Sequence, residues 1–393
     1  MDYNPFDPGV LRNPYPTYAR LRLEAPVCRT SFGFAAISRY DDVLEALRRP
    51  QAFSSSAMGD LIDGVKALSP EGLGRGETLL GSDPPVHTRL RKIVNRGFAP
   101  GRVAALEPRI RAIALGQVAE IPNGSVCDLV ASLAVPLPVT VIAEILGIDP
   151  DRRRDFKRWS EEILSAAAGP PTPELRARLE LSFVERAAYL EAVLEDRKRR
   201  PRDDVISALV EAEQEGGAMT ADEVGNFIVL LLVAGNETTT NLIGNALLAA
   251  LEHHLFEAIA LDLSLVSALV EETLRYDAPV QLTFRRARQD VELAGEKLHE
   301  GELVGLLLGS ANRDERHFPD PDRFHLLRAK TTHLAFGLGT HFCPGASLAR
   351  LEARVALEVL LSRFRRLELA DREVERVPSL LTRGPKAVRV HCS

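Results

Sequence analysis

One short stretch limits this chain more than any other: Phe336-Gly337-Leu338-Gly339-Thr340-His341-Phe342-Cys343-Pro344-Gly345-Ala346-Ser347-Leu348-Ala349-Arg350. Two closely spaced glycines let the backbone turn tightly, a lone cysteine sits in the turn, and a third glycine precedes a helical pattern from Gly345 to about Phe364. That arrangement suits a thiolate that ligates a metal. Backbone N–H groups and the positive end of the following helix can donate toward the sulfur, hold it deprotonated and adjust its electron donation. Gly345 has no side chain where a flat macrocycle would approach. A buried structural cysteine in a glycine turn is the alternative reading. Cys28, Cys127 and Cys392 have no comparable setting and read as structural, and with no CxxC spacing the chain reads as one from a reducing compartment.

About a hundred residues earlier, Asn226 to Leu251 reads as one long helix, apolar for two turns and then interrupted in that pattern by Ala234-Gly235-Asn236-Glu237-Thr238-Thr239-Thr240. An acid and three consecutive β-branched alcohols are poor material for the middle of a buried helix. A threonine there can bond back to the carbonyl of Ala234, loosen the ladder and open a small groove. Leu230, Val233 and Ala234 recur at helical spacing just before the acid, and Val280 and Leu282 alternate on a later strand. They are candidates to line an apolar pocket, with core packing as the other reading.

The rest of the pattern is an outline. Phe32–Ile37 reads as a strand and Tyr40–Arg49 as a helix opening on Asp41-Asp42. Residues 57–82 hold six glycines, too many for a regular element, and read as a surface loop or a lid. From 85 to 275 the pattern is mostly helical, with stops at Gly147-Ile148-Asp149-Pro150, Gly169-Pro170-Pro171 and Gly216-Gly217. Val280–Phe284, Val291–Leu293 and Leu303–Leu308 read as strands. The fold class is therefore mainly α with small β-sheets (α+β). With no linker or low-complexity tract, residues 1–393 read as a single large domain. A net charge of −6 excludes the basic footprint that nucleic acid requires. The N-terminus has no signal-peptide pattern, and the longest apolar run, Phe227 to Ala234, is far short of the ~20 residues a bilayer needs. No nucleic acid partner, no membrane anchor and a cytoplasmic location are expected.

The cysteine stretch resembles the haem-binding signature of the cytochrome P450 family, Phe-x-x-Gly-x-His-x-Cys-x-Gly-x-x-Leu-Ala, at every fixed position. The resemblance implies that Cys343 ligates the iron of haem b (iron protoporphyrin IX), that Phe336 packs against the sulfur and that His341 contacts a propionate. Pro344, directly after the ligand, departs from the usual pattern and removes one N–H donor. The 234–240 segment resembles the family's Ala/Gly-Gly-x-Asp/Glu-Thr-Thr motif, which makes Glu237 and Thr238 an acid–alcohol pair delivering protons to dioxygen, with Ala234 against the haem. Glu272 and Arg275, three apart on one helix face, resemble the Glu-x-x-Arg motif, and Pro321-Asp322-Arg323-Phe324 the Pro-Glu-Arg-Phe motif. By that resemblance Glu272, Arg275 and Arg323 form a buried structural triad. Two propionates need cationic donors; His87, Arg91, Arg285 and His341 match those positions, with Arg286 competing with Arg285.

The resemblance spans almost the whole chain and implies the cytochrome P450 fold and a bacterial-type haem-thiolate monooxygenase. Such an enzyme inserts one oxygen atom from dioxygen into a hydrophobic small molecule, by hydroxylation or epoxidation of a terpenoid, steroid, fatty acid or polyketide. No flavin or nicotinamide fingerprint follows a strand, so a ferredoxin-type donor with its reductase is expected. Its docking would use some of Arg89, Lys92, Arg96, Arg102, Arg350 and Arg354. A haem-thiolate peroxygenase and a non-catalytic haem-binding sensor are the competing readings, and Glu237-Thr238 argues against the first.

Overall fold

In the computed structural model, residues 2–66, 77–167, 172–214, 219–329 and 332–392 are described. They form two compact units interleaved along the chain, one of residues 1–54, 104–137 and 238–393, the other of 55–103 and 138–237.

The first unit carries the sheets. Strands β1 (Val27–Arg29), β2 (Phe34–Ile37), β3 (Phe53–Ser54), β5 (Leu282–Ala287) and β8 (Leu303–Leu307) make one sheet in the order β1-β2-β8-β5-β3. β4 (Val126–Asp128), β9 (Leu367–Leu369) and β10 (Arg389–Cys392) make a second with β10 central, and β6 (Val291–Leu293) pairs with β7 (Glu296–Leu298). All four residues of β2 are buried, and β2 runs parallel to β8, so its unbroken apolar run is that of a strand covered on both faces. Gly305 of β8 has a packing reason: a Cβ there would meet the Phe34 ring at 2.9 Å. One core cluster joins Ile37, Tyr40, Val43, Leu47 and Phe53 to Val304, Leu306 and Phe318.

Two helices of this unit, Glu107–Ala119 and Ala346–Arg363, are joined by crossed ion pairs. Arg111 reaches Glu107 at 3.0 Å and Glu358 at 2.5 Å; Arg354 reaches Glu107 at 2.7 Å and Glu358 at 2.9 Å. A shared network of this kind costs less side-chain entropy per pair than isolated bridges, each of which is worth about 0–1 kcal/mol at a surface.

The second unit is helical. Val86–Gly97, Arg153–Ala167, Pro173–Arg199 and Val205–Gln214 pack on the first half of Ala221–Glu252 around Phe156, Trp159, Leu190, Ile206, Val224 and Leu232. Thr172 caps Pro173–Arg199 by accepting from the Leu175 N–H, with Pro173 in the first turn and Arg197, Lys198 and Arg199 in the last.

Several sequence expectations shift. The glycine-rich tract begins as a regular helix, Ser56–Lys66, because Ala57, Met58 and Leu61 supply apolar positions at helical spacing; residues 67–76 lie outside the described residues. The stops at Gly169-Pro170-Pro171 and Gly216-Gly217 also lie outside them. Ala221–Glu252 is one α-helix through 234–240, the single long helix expected there. By length and composition this helix could cross a membrane, but 61% of its apolar window is buried inside the structure, as in a core helix.

Candidate functional site

The cysteine loop folds as its glycines require. Gly337 and Gly339 have φ of 67° and 75°, the left-handed region, and a Cβ on Gly339 would meet the Leu47 carbonyl oxygen at 2.8 Å. Between them and the ligand candidate lies a 3-10 turn, Gly339–His341. The Cys343 N–H donates to the Phe336 carbonyl at 3.0 Å, closing the loop, and the Ala346 N–H donates to the Cys343 carbonyl at 3.4 Å, starting the Ala346–Arg363 helix. Cys343 is partly exposed and no disulfide engages it. The Phe336 ring is covered by the Arg350 guanidinium at 4.5 Å and lies 6.5 Å from the Phe342 ring.

Behind the loop lies the buried ion cluster, with one member corrected. Arg275 meets Glu272 through two 2.8 Å hydrogen bonds and also donates to the carbonyls of Asn312 and Pro321. Arg323 is exposed and contributes only its backbone carbonyl, to Arg275 and Arg328. The third cation is Arg328, whose Nε donates to Glu272 at 3.1 Å. The turn after Phe324 explains the exchange: the His325 N–H also donates to Glu272, which swings the chain so that Arg328 points inward. Burial alone would raise the Glu272 carboxyl, but Arg275, the His325 N–H and Arg328 hold it below the ordinary range.

Arg285 on β5 is 5% exposed, while its neighbour Arg286, on the opposite face of the strand, is partly exposed and bonds to the Gly301 carbonyl. Arg285 donates to the Phe284 carbonyl at 2.7 Å. Thr238 is partly exposed on the long helix, with Thr239 and Thr240 buried. Leu282 departs from expectation: it is 1% exposed, pairs with Leu307, and is packed inside the sheet. Val280 precedes the strand and makes only an isolated bridge to Thr382, so the two do not alternate on one regular strand.

In the second unit, His87 is 2% exposed on the Val86–Gly97 helix, and Arg91, one turn on, is partly exposed with its Nε bonded to Asn95 at 2.9 Å. On the long helix, Leu230, Val233 and Glu237 are partly exposed and Ala234 is exposed, whereas Phe227, Ile228, Leu231, Leu232 and Asn236 are buried. Leu230, Val233, Ala234 and Glu237 recur at helical spacing, so a partly open, mainly apolar stripe of this helix leads to the acid, although Leu230 also packs against the core.

The residues beside Cys343 fit a haem. A Cβ on Gly345 would meet only the Cys343 sulfur, at 4.0 Å, so the backbone beside the ligand is open. Among the described residues no three His, Cys, Asp or Glu side chains are grouped to hold a metal ion. The buried guanidinium of Arg285 is the type of donor a propionate needs.

Two findings were not read from the sequence. Three of the cations expected to attract an electron donor are already paired, Arg89 with Glu223, Arg350 with Glu271, and Arg354 with Glu107 and Glu358; Lys92 and Arg102 are exposed. Glu223, Glu271 and Glu107 lie too far along the chain from their arginines for a sequence pattern to show; Glu358 alone is at helical spacing from Arg354. Glu352, on the helix after the loop, is 3% exposed, and burial pushes its carboxyl up to about 8. A raised carboxyl pKa adds stability below the unfolded value and loses it as pH rises through the folded one. Glu352→Gln is therefore expected to flatten the fall in stability between about 4.5 and 8, read from denaturation midpoints across that range; an unchanged pH slope would contradict a buried neutral Glu352.

The family profile described as Cytochrome P450 matches residues 259–390. Cytochrome P450 107B1 of Saccharopolyspora erythraea is 40% identical over 379 residues, covering 93% of this chain and 91% of that protein. The solved structure of cytochrome P450 CYP109Q5 from Chondromyces apiculatus matches with a TM-score of 0.89 and 44% identity, over 100% of this chain and 98% of that one. That of CYP109E1 from Bacillus megaterium in complex with testosterone matches at 0.88 and 36%, over 98% and 99%.

Proposed function

This chain belongs to the cytochrome P450 family, and from that premise we propose that it hydroxylates or epoxidises a hydrophobic small molecule of terpenoid, steroid, fatty acid or polyketide type. The class, a haem-thiolate monooxygenase with haem b, follows from membership. Bound haem supplies the activation of dioxygen, from which one atom enters the substrate and the other leaves as water.

The chain's own residues are assigned as follows. Cys343 is the thiolate ligand, and Gly345 leaves room for the ring, with Phe336 shielding the sulfur side. His87, Arg91, Arg285 and His341 hold the propionates. The Glu237 carboxyl and the Thr238 hydroxyl hold and pass protons. Leu230, Val233, Val280 and the Ala234 methyl form the substrate wall. Electrons come from a ferredoxin-type protein with its reductase in the cytoplasm.

The observation that carries the substrate reading is the partly open apolar stripe of Leu230, Val233 and Ala234 leading to Glu237 and Thr238. A relative's structure holding testosterone supports an apolar ligand of that size. The test is to screen hydrophobic natural products for substrate-induced changes in the haem spectrum, then to assay hits for product with ferredoxin, reductase and NADPH. Product formed only with peroxide would favour a peroxygenase.

Thr238→Ala is expected to leave haem and substrate binding nearly intact, while product per NADPH falls several-fold and peroxide rises, because proton delivery is disturbed after reduction has begun. Unchanged coupling would remove Thr238 from proton delivery.

A further inference from the structure

Cys127 and Cys392 are 265 residues apart in sequence, yet their sulfurs lie 3.0 Å apart in the three-stranded sheet. Cys127 pairs with Val390 across β4 and β10, and Cys392 lies two residues further along β10, so alternation puts both thiols on one face. That face is buried: Cys127 is 8% and Cys392 2% exposed, beside Val390 and Leu367. The backbone holds them there, since the Cys392 N–H donates to the Ser125 carbonyl and the Gly124 N–H donates to the Cys392 carbonyl. Diagonal neighbours in a sheet are usually more widely spaced than opposed ones, but here the sulfurs need only close to the bond length of about 2.05 Å.

We propose that Cys127 and Cys392 are an oxidisable dithiol, converted by peroxide into an intrachain disulfide that ties the C-terminal strand to β4. One sulfur, as thiolate, attacks a peroxide oxygen; the O–O bond breaks, and a sulfenic acid and, after protonation, water result. The second thiol's sulfur displaces the sulfenic hydroxyl, which leaves as a second water, and the S–S bond forms. Two thiols lose two electrons and two protons, and one hydrogen peroxide becomes two waters. Peroxide is the by-product of uncoupled dioxygen reduction, so an enzyme of this class meets the oxidant during its own turnover. Burial, with the hydrogen bond and charge of Cys392, pushes the Cys127 thiol up to about 12. The thiolate is therefore scarce and oxidation is slow, a response to sustained rather than momentary peroxide. The closed loop spans most of the chain, the case in which a cross-link restricts the unfolded ensemble most.

The test uses the ferric holoprotein with hydrogen peroxide, at a dose that leaves the haem absorbance intact. Digestion without reductant should yield a linked peptide pair containing Cys127 and Cys392, lighter by two hydrogens and released by a reducing agent. The thermal unfolding midpoint should rise by several degrees on oxidation of the native protein and remain unmoved in Cys392→Ser. Recovery of Cys127 as free thiol or sulfinic acid with no linked pair would overturn the proposal, and this peptide map needs no variant to fold.

Discussion

Arg275→Ala is expected to destabilise the protein by about 3–5 kcal/mol, the cost of leaving a buried charge without its main partner. Glu272 would keep only Arg328 and the His325 N–H, and the carbonyls of Asn312 and Pro321 would lose their donor. The midpoint of denaturation and the fraction of chain recovered with haem are both expected to fall sharply. Arg275→Lys should recover little, because an ammonium cannot reproduce two parallel bonds to Glu272 and the bonds to the flanking carbonyls. Arg328→Ala should cost less than Arg275→Ala, since its side chain makes a single bond to the same carboxylate. Arg323→Ala should be nearly silent, as its side chain is exposed. A severe Arg323→Ala with a mild Arg328→Ala would reverse the assignment of the third cation.

Cys343→His is expected to abolish monooxygenase turnover while retaining weak haem binding. Imidazole is a neutral donor and cannot supply the electron push of a thiolate that favours O–O cleavage. The loop should survive the change, because its shape rests on the Phe336 carbonyl bond and on Gly337 and Gly339, none of which involves the sulfur. Turnover with ferredoxin, reductase and NADPH is the check. Turnover within a few-fold of the native rate would remove the thiolate from the chemistry.

The parts of this molecule that were readable in its sequence are local ones. A tight turn through Gly337 and Gly339, an i,i+3 pair such as Glu272 and Arg275, and the strand period that puts Arg285 and Arg286 on opposite faces are each set within a few residues by backbone sterics and side-chain period. What escaped depends on pairing across long separations. Arg328 replaces Arg323 because a backbone turn at His325 redirects the chain, and no spacing rule encodes that turn. Leu282 reads like a pocket residue until β8 covers it. The neighbouring sulfurs of Cys127 and Cys392 follow from β10 returning beside β4, a contact between the chain's C-terminus and its first third. The long helix was readable as well, since the apolar turns before and after 234–240 carry Ala221–Glu252 through alcohols that disfavour a helix locally.

The claim on which the rest depends is that Cys343 is a thiolate ligand, and the Soret position of the reduced, carbon-monoxide-bound protein tests it most directly. The native protein is expected to show the red-shifted band of thiolate ligation, and Cys343→His the shorter-wavelength band of a neutral axial ligand. A thiolate-type band that persists in Cys343→His would contradict it.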